Sequence, residues 1–305
     1  MPDGLSILPN CQTVAYPASA QTVREKTTEV RCRFASAVEA LQTVFQAENP
    51  DIIAFGETHP NEAKNTKPTT LMLFAEQLLP ALQQNKCFDL VAEGLISDLT
   101  KDHPATDYLA SKLPAAELEK HYFFPPKTAE AVGVNNDGLV KLLGRAKELP
   151  KNPPFHIYGG GPSLNDPEKK DIYKDPLFSS GANDDRLQRL ISERTVDVTL
   201  ALLEQVKPGE KRVVIYGGGN HNDLTGRPQK NSLSYGQYFR KKTSYKYVAI
   251  DILTPELMRK GHFAQYEYPE YKNWLRTAAP KSGVTLIQRG KGSYTIILPA
   301  GTLAP

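Results

Sequence analysis

The chain has no apolar stretch approaching the roughly 20 residues that cross a bilayer as a helix, and it opens Met-Pro-Asp-Gly-Leu, without the basic and apolar segments of an export signal. The expectation is a soluble protein, placed in a bacterial cell envelope or secreted if a signal has been trimmed, and cytoplasmic otherwise. Cysteine is scarce. Cys11, Cys32 and Cys87 form no Cys-x-x-Cys pair, which argues against a structural zinc site. Three buried or idle thiols are expected; an exported chain would instead bridge Cys11 to Cys32 and leave Cys87 over. An excess of one charge is also missing, since 37 basic against 34 acidic residues leave only +3. That is too little for a dedicated nucleic-acid binder, and charge selects no partner; a small-molecule or peptide substrate is expected from the candidate site instead.

Several catalytic signatures are absent as well. There is no Gly-x-Ser-x-Gly elbow and no His-Glu-x-x-His helix. The glycine runs after Tyr158 and Tyr216 do not complete Gly-x-Gly-x-x-Gly, because Leu164 and Asn222 stand where the last glycine belongs.

What is present is an alternation of short apolar runs with helical patterns. Residues 51–55, Asp-Ile-Ile-Ala-Phe, are apolar on both parities and closed by Gly56, as in a strand buried on both faces of a parallel sheet. A helix over 35–47 precedes it. Leu71, Phe74, Leu78 and Leu82 then share a helical face, and 88–92 is a second strand ending at Glu93-Gly94. Further strands are expected at 155–158, 212–216 and 247–251, with helices over 138–148, 185–206 and 234–242 and a terminal pair of strands at 285–288 and 294–298. The fold class expected is α/β: a mostly parallel open sheet with helices on both faces, in a single domain. Residues 1–34 are read as an irregular arm, 97–132 as a lid-like helical insertion and 254–305 as a C-terminal extension carrying a hairpin.

In such a sheet ligands bind beyond the carboxyl ends of the strands. The first strand ends Gly56-Glu57-Thr58-His59-Pro60, the second at Glu93, and the fourth Gly217-Gly218-Gly219-Asn220-His221. Pro60 keeps His59 extended, so Glu57 and His59, two residues apart, project together. A carboxylate beside an imidazole can ligate a metal, or can orient the imidazole to activate water. The glycines before His221 allow a sharp turn, and their amides can hold an oxyanion. The bland alternatives are that Glu57 and Glu93 cap helices and that His59 packs in a turn. Four such residues at three strand ends favour the site.

Other segments carry weaker signals. His156 lies inside a strand and is read as a packed core histidine. The stretch from Tyr235 to Tyr247 interleaves aromatics with Arg240, Lys241, Lys242 and Lys246, which reads as a solvated helix end. Tyr266, Tyr268, Tyr271 and Trp274 either wall a pocket or pack an extension.

Taken together, Gly56-Glu-Thr-His59, the strand-end Glu93, the helix segment Glu193-Arg194-Thr-Val-Asp-Val and Gly218-Gly-Asn-His221 resemble the Tiki/TraB, ChaN-like and erythromycin-esterase-like superfamily over residues 51–253. The resemblance implies that Glu57, His59, Glu93 and His221 match catalytic or metal-binding positions and that Arg194 matches a site arginine. It implies a hydrolase cleaving an ester or amide, with a divalent metal (manganese, zinc or cobalt) or histidine-activated water. The alternative within the same superfamily is a haem-binding uptake protein without turnover.

Overall fold

The structure, a computed structural model, describes residues 10–15, 28–57, 69–96, 108–109, 112, 114–117, 136–161, 184–205, 212–222, 224, 234–256, 274, 277–278 and 280–299. Its strands are β1 (Cys11–Ala15), β2 (Thr28–Phe34), β3 (Ile52–Glu57), β4 (Cys87–Ile96), β5 (His156–Gly161), β6 (Arg212–Gly218), β7 (Tyr247–Leu253), β8 (Val284–Gly290) and β9 (Ser293–Ile297). They form one nine-stranded sheet in the order β1-β2-β8-β9-β7-β3-β6-β4-β5. The run from β9 to β5 is parallel throughout, and β1, β2, β8 and β9 pair antiparallel at the other edge.

Helices cover both faces, as the alternation requires. Ala37–Glu48 (α1), Thr70–Leu73 (α2), Leu79–Gln84 (α3) and Asn136–Glu148 (α4) pack on one face against Ile53, Phe55, Val214, Tyr216, Val248 and Ile250. Asp184–Leu203 (α5) and Tyr235–Lys242 (α7) pack on the other against Ile52, Ala54, Val213, Ile215 and Ala249. Successive residues of β3 therefore serve two cores, and Ile52, Ile53 and Phe55 are all 0 % exposed. Each stabilises the fold by about 1.5–3 kcal/mol relative to exposure. Between β6 and α7 lies the short helix α6 (Gly219–Asn222). Among the described residues no helix is long and apolar enough to cross a membrane.

Three features differ from the sequence reading. The segment read as an irregular arm contributes β1 and β2, and Cys11 and Cys32, directly opposite in their register, form a disulfide; only Cys87 is a free thiol, and it is buried. The strand pattern of β2 was masked because Glu29 and Arg31 alternate with Val30 and Cys32, yet all four are buried. Glu29 and Arg31 pair with one another, and the indole of Trp274 donates to Glu29. Trp274 is 1 % exposed and packs with Leu253, Ala278, Ile287 and Ile297.

Second, the helix expected around Leu71 to Leu82 is interrupted by a π-helical turn, Phe74–Leu78, in which Leu79 N–H donates to Phe74 O. Pro80 follows at once and has no N–H to continue the regular ladder. Third, His156 is not a core histidine. β5 is the edge strand, and His156 Nδ1 sits 3.3 Å from the buried Asp89 Oδ1 with its side chain 34 % exposed. Tyr158 donates to the same oxygen at 3.1 Å. The insertion expected over 97–132 lies almost wholly outside the described residues, as do Tyr266, Tyr268 and Tyr271. The helix-end reading of the aromatic and basic stretch holds: Arg240, Lys241 and Lys242 are exposed in the last turn of α7.

Candidate active site

The carboxyl ends of β3, β6 and β4 lie side by side, with β6 between the other two. The chain leaves β3 to build β4 and β5, returns to insert β6 between β3 and β4, and then crosses to β7 on the far side of β3. This reversal is where an open parallel sheet leaves a crevice. Glu93 and His221 meet on the α5 and α7 side of it. Glu93 Oε2 accepts from Gly218 N–H at 2.9 Å, and Glu93 Oε1 lies 3.7 Å from His221 Nε2. Both side chains are more than nine-tenths buried.

Local sequence explains the encounter. A Cβ on Gly217 would stand 2.0 Å from Glu93 Oε2, so only glycine lets the carboxylate lie across β6. The three glycines expected to allow a sharp turn are shared between two elements, Gly217 and Gly218 ending β6 and Gly219 opening α6, and one of their amides is held by Glu93. Ser234 secures the histidine from behind. Its hydroxyl donates to His221 O at 2.6 Å and accepts from Gln237 N, capping α7.

Two site residues have no strand-end signature. Ser192, on α5, places Oγ 2.8 Å from His221 Nδ1, and it is 2 % exposed. The helix comes this close because Thr195, one turn on, sits against Gly160 of β5 and donates to its carbonyl at 3.2 Å. Tyr235, at the start of α7, is stacked with His221 at a centroid distance of 6.2 Å, is fully buried, and its hydroxyl has no hydrogen-bond partner among the described residues. Burial, then Tyr247 and the carboxylates of Glu93, Asp251 and Glu57, push its ionisation well above the usual phenol value, so it stays a neutral donor.

Glu57 reaches the same end of the sheet but leans to the other face. Its Oε2 accepts from Tyr216 Oη at 2.7 Å, and the Tyr216 ring packs against Phe74 of the π-helical turn at 4.6 Å. Burial and then Glu57 hold the Tyr216 hydroxyl well above its ordinary pKa, with Glu93 adding to the effect. The two glutamates thus flank β6 and act on the same tyrosines. Arg194 is half-buried on α5, with Nη1 3.6 Å from Asp197 Oδ2. His59 lies outside the described residues.

The described donors do not by themselves suit a metal. Glu93 gives Oε2 to a backbone amide, His221 gives Nδ1 to Ser192, and no group of three His, Cys, Asp or Glu side chains among the described residues is placed to hold an ion. The 3.7 Å between Glu93 Oε1 and His221 Nε2 exceeds a hydrogen bond, so an oxygen that bonded both would sit beside the line that joins them rather than between them.

No family model and no curated protein sequence matches this chain. Solved structures do. An erythromycin esterase mutant, EreC, in its open conformation aligns over 88 % of this chain and 97 % of that one with a TM-score of 0.50 and 10 % identity. The likeness is one of fold. A Bacillus cereus protein aligns over 85 % of this chain and 91 % of that one with a TM-score of 0.41 and 11 % identity. A bacterial protein toxin aligns over 72 % of this chain with a TM-score of 0.40 and 18 % identity, and this chain spans 37 % of the length of that toxin.

Proposed function

We propose that this protein is a hydrolase that cleaves an ester or amide bond with water activated between Glu93 and His221. The observation that carries the reading is the buried Glu93 and His221 couple at the switch point of the sheet, close enough for one oxygen to bond both. Glu93 Oε1 takes the proton of the attacking water as general base, while His221 holds that water and then the oxyanion that develops. The buried surroundings strengthen both interactions, because little solvent competes for them. Glu57, oriented by Tyr216, supplies a second carboxylate on the far side of β6. Arg194 would steady a substrate carboxylate or the developing oxyanion, and His59 keeps the catalytic or metal-binding part that the family resemblance suggests.

The esterase fold supports the reaction class only as far as architecture goes. Turnover of a series of 4-nitrophenyl esters and 4-nitroanilides tests the reading. Glu93→Gln is expected to lower kcat by about 10²–10⁴-fold, and EDTA is expected to leave the wild-type rate unchanged. Full activity in Glu93→Gln contradicts the assignment of the base. Loss of activity in EDTA, restored by manganese, zinc or cobalt, replaces it with metal-activated water.

A further inference from the structure

His221 can hold its proton on either ring nitrogen, and the surroundings of the ring decide which. The Ser192 hydroxyl lies 2.8 Å from Nδ1 and is buried, and among the described residues it has no other hydrogen-bond partner. If Nδ1 carried the hydrogen, Ser192 would accept it and its own O–H would be left buried and unpaired. On the opposite side of the ring, Nε2 would then turn a lone pair toward the Glu93 carboxylate oxygen at 3.7 Å. Both results are unfavourable. With the hydrogen on Nε2, Ser192 donates to Nδ1, and the Nε2–H faces Glu93 with opposite partial charge. The ring has little freedom to escape the choice, because Ser234 fixes the His221 carbonyl and Tyr235 covers one face.

We propose that Ser192 is a positioning residue that locks His221 in the Nε2–H tautomer, and that His221 is therefore the donor and Glu93 the base at the reacting oxygen. The proposal rests on the hydrolytic reading for its consequence but not for its test. In the attack step the water O–H bond breaks toward Glu93 Oε1 as the oxygen bonds to the substrate carbonyl carbon. The carbonyl π electrons move to its oxygen, which takes over the Nε2–H hydrogen bond that had held the water. The proton on Glu93 then passes to the departing alcohol or amine oxygen or nitrogen as the tetrahedral species collapses. His221 carries one proton throughout. Ser192 forms no covalent bond. Its connection to an imidazole and a carboxylate has the order of a nucleophilic triad, but its burial inside α5 turns the hydroxyl toward the ring rather than toward a substrate.

The direct test uses the full chain labelled with nitrogen-15 in histidine, with the His221 resonances assigned by His221→Asn and read in a two-bond proton–nitrogen correlation at neutral pH. The expected wild-type pattern is a protonated Nε2 and an unprotonated Nδ1. Ser192→Thr is expected to keep it, and Ser192→Ala to lose the preference. A wild-type ring protonated on Nδ1 overturns the proposal even if no Ser192 variant folds, as does an unchanged tautomer in a folded Ser192→Ala. In the nitrophenyl assay Ser192→Ala is expected to lower kcat at least about ten-fold at constant KM, since a wrong tautomer removes the donor, and Ser192→Thr to restore it. A fluorophosphonate adduct on Ser192 would overturn positioning in favour of a nucleophile. A chain with the Nε2–H tautomer that turns over none of the probes leaves the lock standing and refutes the hydrolytic reading alone.

Discussion

Replacing Gly217 by alanine tests the geometry of the site without touching a functional group. The glycine does not occupy the left-handed region, so the backbone accepts alanine and any penalty comes from contact. The new methyl would stand 2.0 Å from Glu93 Oε2, 3.1 Å from Glu93 Cβ and 3.0 Å from Tyr235 Oη. Glu93 must swing away and give up the Gly218 N–H, a hydrogen bond to a charged group that contributes about 1.5–3 kcal/mol. Crowding in a packed interior adds a comparable amount, about 1–3 kcal/mol. A loss of about 2–5 kcal/mol in urea unfolding is therefore expected, together with loss of hydrolytic activity. Gly144 is the control. A Cβ there meets nothing within 4 Å and the residue lies in α4, so Gly144→Ala is expected to stabilise by about 0.5–1 kcal/mol. In a Glu93→Ala background the Gly217→Ala penalty should shrink by about 1–3 kcal/mol, the signature of two coupled sites. Equal penalties in both backgrounds would refute the claim that Glu93 lies across β6.

Other expectations follow from the same contacts. Tyr235→Phe removes a buried hydroxyl that has no partner among the described residues, so stability should be unchanged or rise by up to about 1 kcal/mol, whereas Tyr216→Phe strips Glu57 of a donor and should lose about 1–3 kcal/mol; urea unfolding of both variants reads the difference. Cys11→Ser with Cys32→Ala opens a loop of sequence separation 21 and should destabilise by about 3 kcal/mol, with no change in hydrolysis. The ionisations of Tyr158, Tyr216, Tyr235 and Tyr294 are all raised in the folded chain, chiefly by burial. The unfolded chain then releases these protons first, so stability is intact below the ordinary phenol pKa of about 10 and falls as pH rises above it. Phenolate absorbance during alkaline titration should therefore show a late group of tyrosines appearing together with unfolding, and smooth titration of all of them in a folded protein would contradict the burial.

The parallel sheet was legible because strands buried on both faces leave unbroken apolar runs, as in Ile52 to Phe55, and because Glu93 and His221 stand where those runs stop. Glu57 was legible as a strand-end acid, but not its lean toward Tyr216, which depends on the face that a single residue step selects. Ser192 and Tyr235 could not be recognised in this way. On an amphipathic helix a serine or tyrosine that faces a site has the same spacing as one that faces the core, and only the approach of α5 to Gly160 shows which it is. The first strands were hidden for the opposite reason. Glu29 and Arg31 look like a solvated face, and burial becomes tolerable only because they pair and because Trp274, far along the chain, closes over them.

The most direct measurement of the central claim is a double-mutant cycle on kcat/KM for Glu93→Gln, His221→Asn and the two combined, with a 4-nitrophenyl ester. Residues that grip one oxygen act as a unit, so the double variant should be scarcely slower than the worse single variant. Losses that add in full, or a single variant with wild-type turnover, would show that Glu93 and His221 do not share the reacting oxygen.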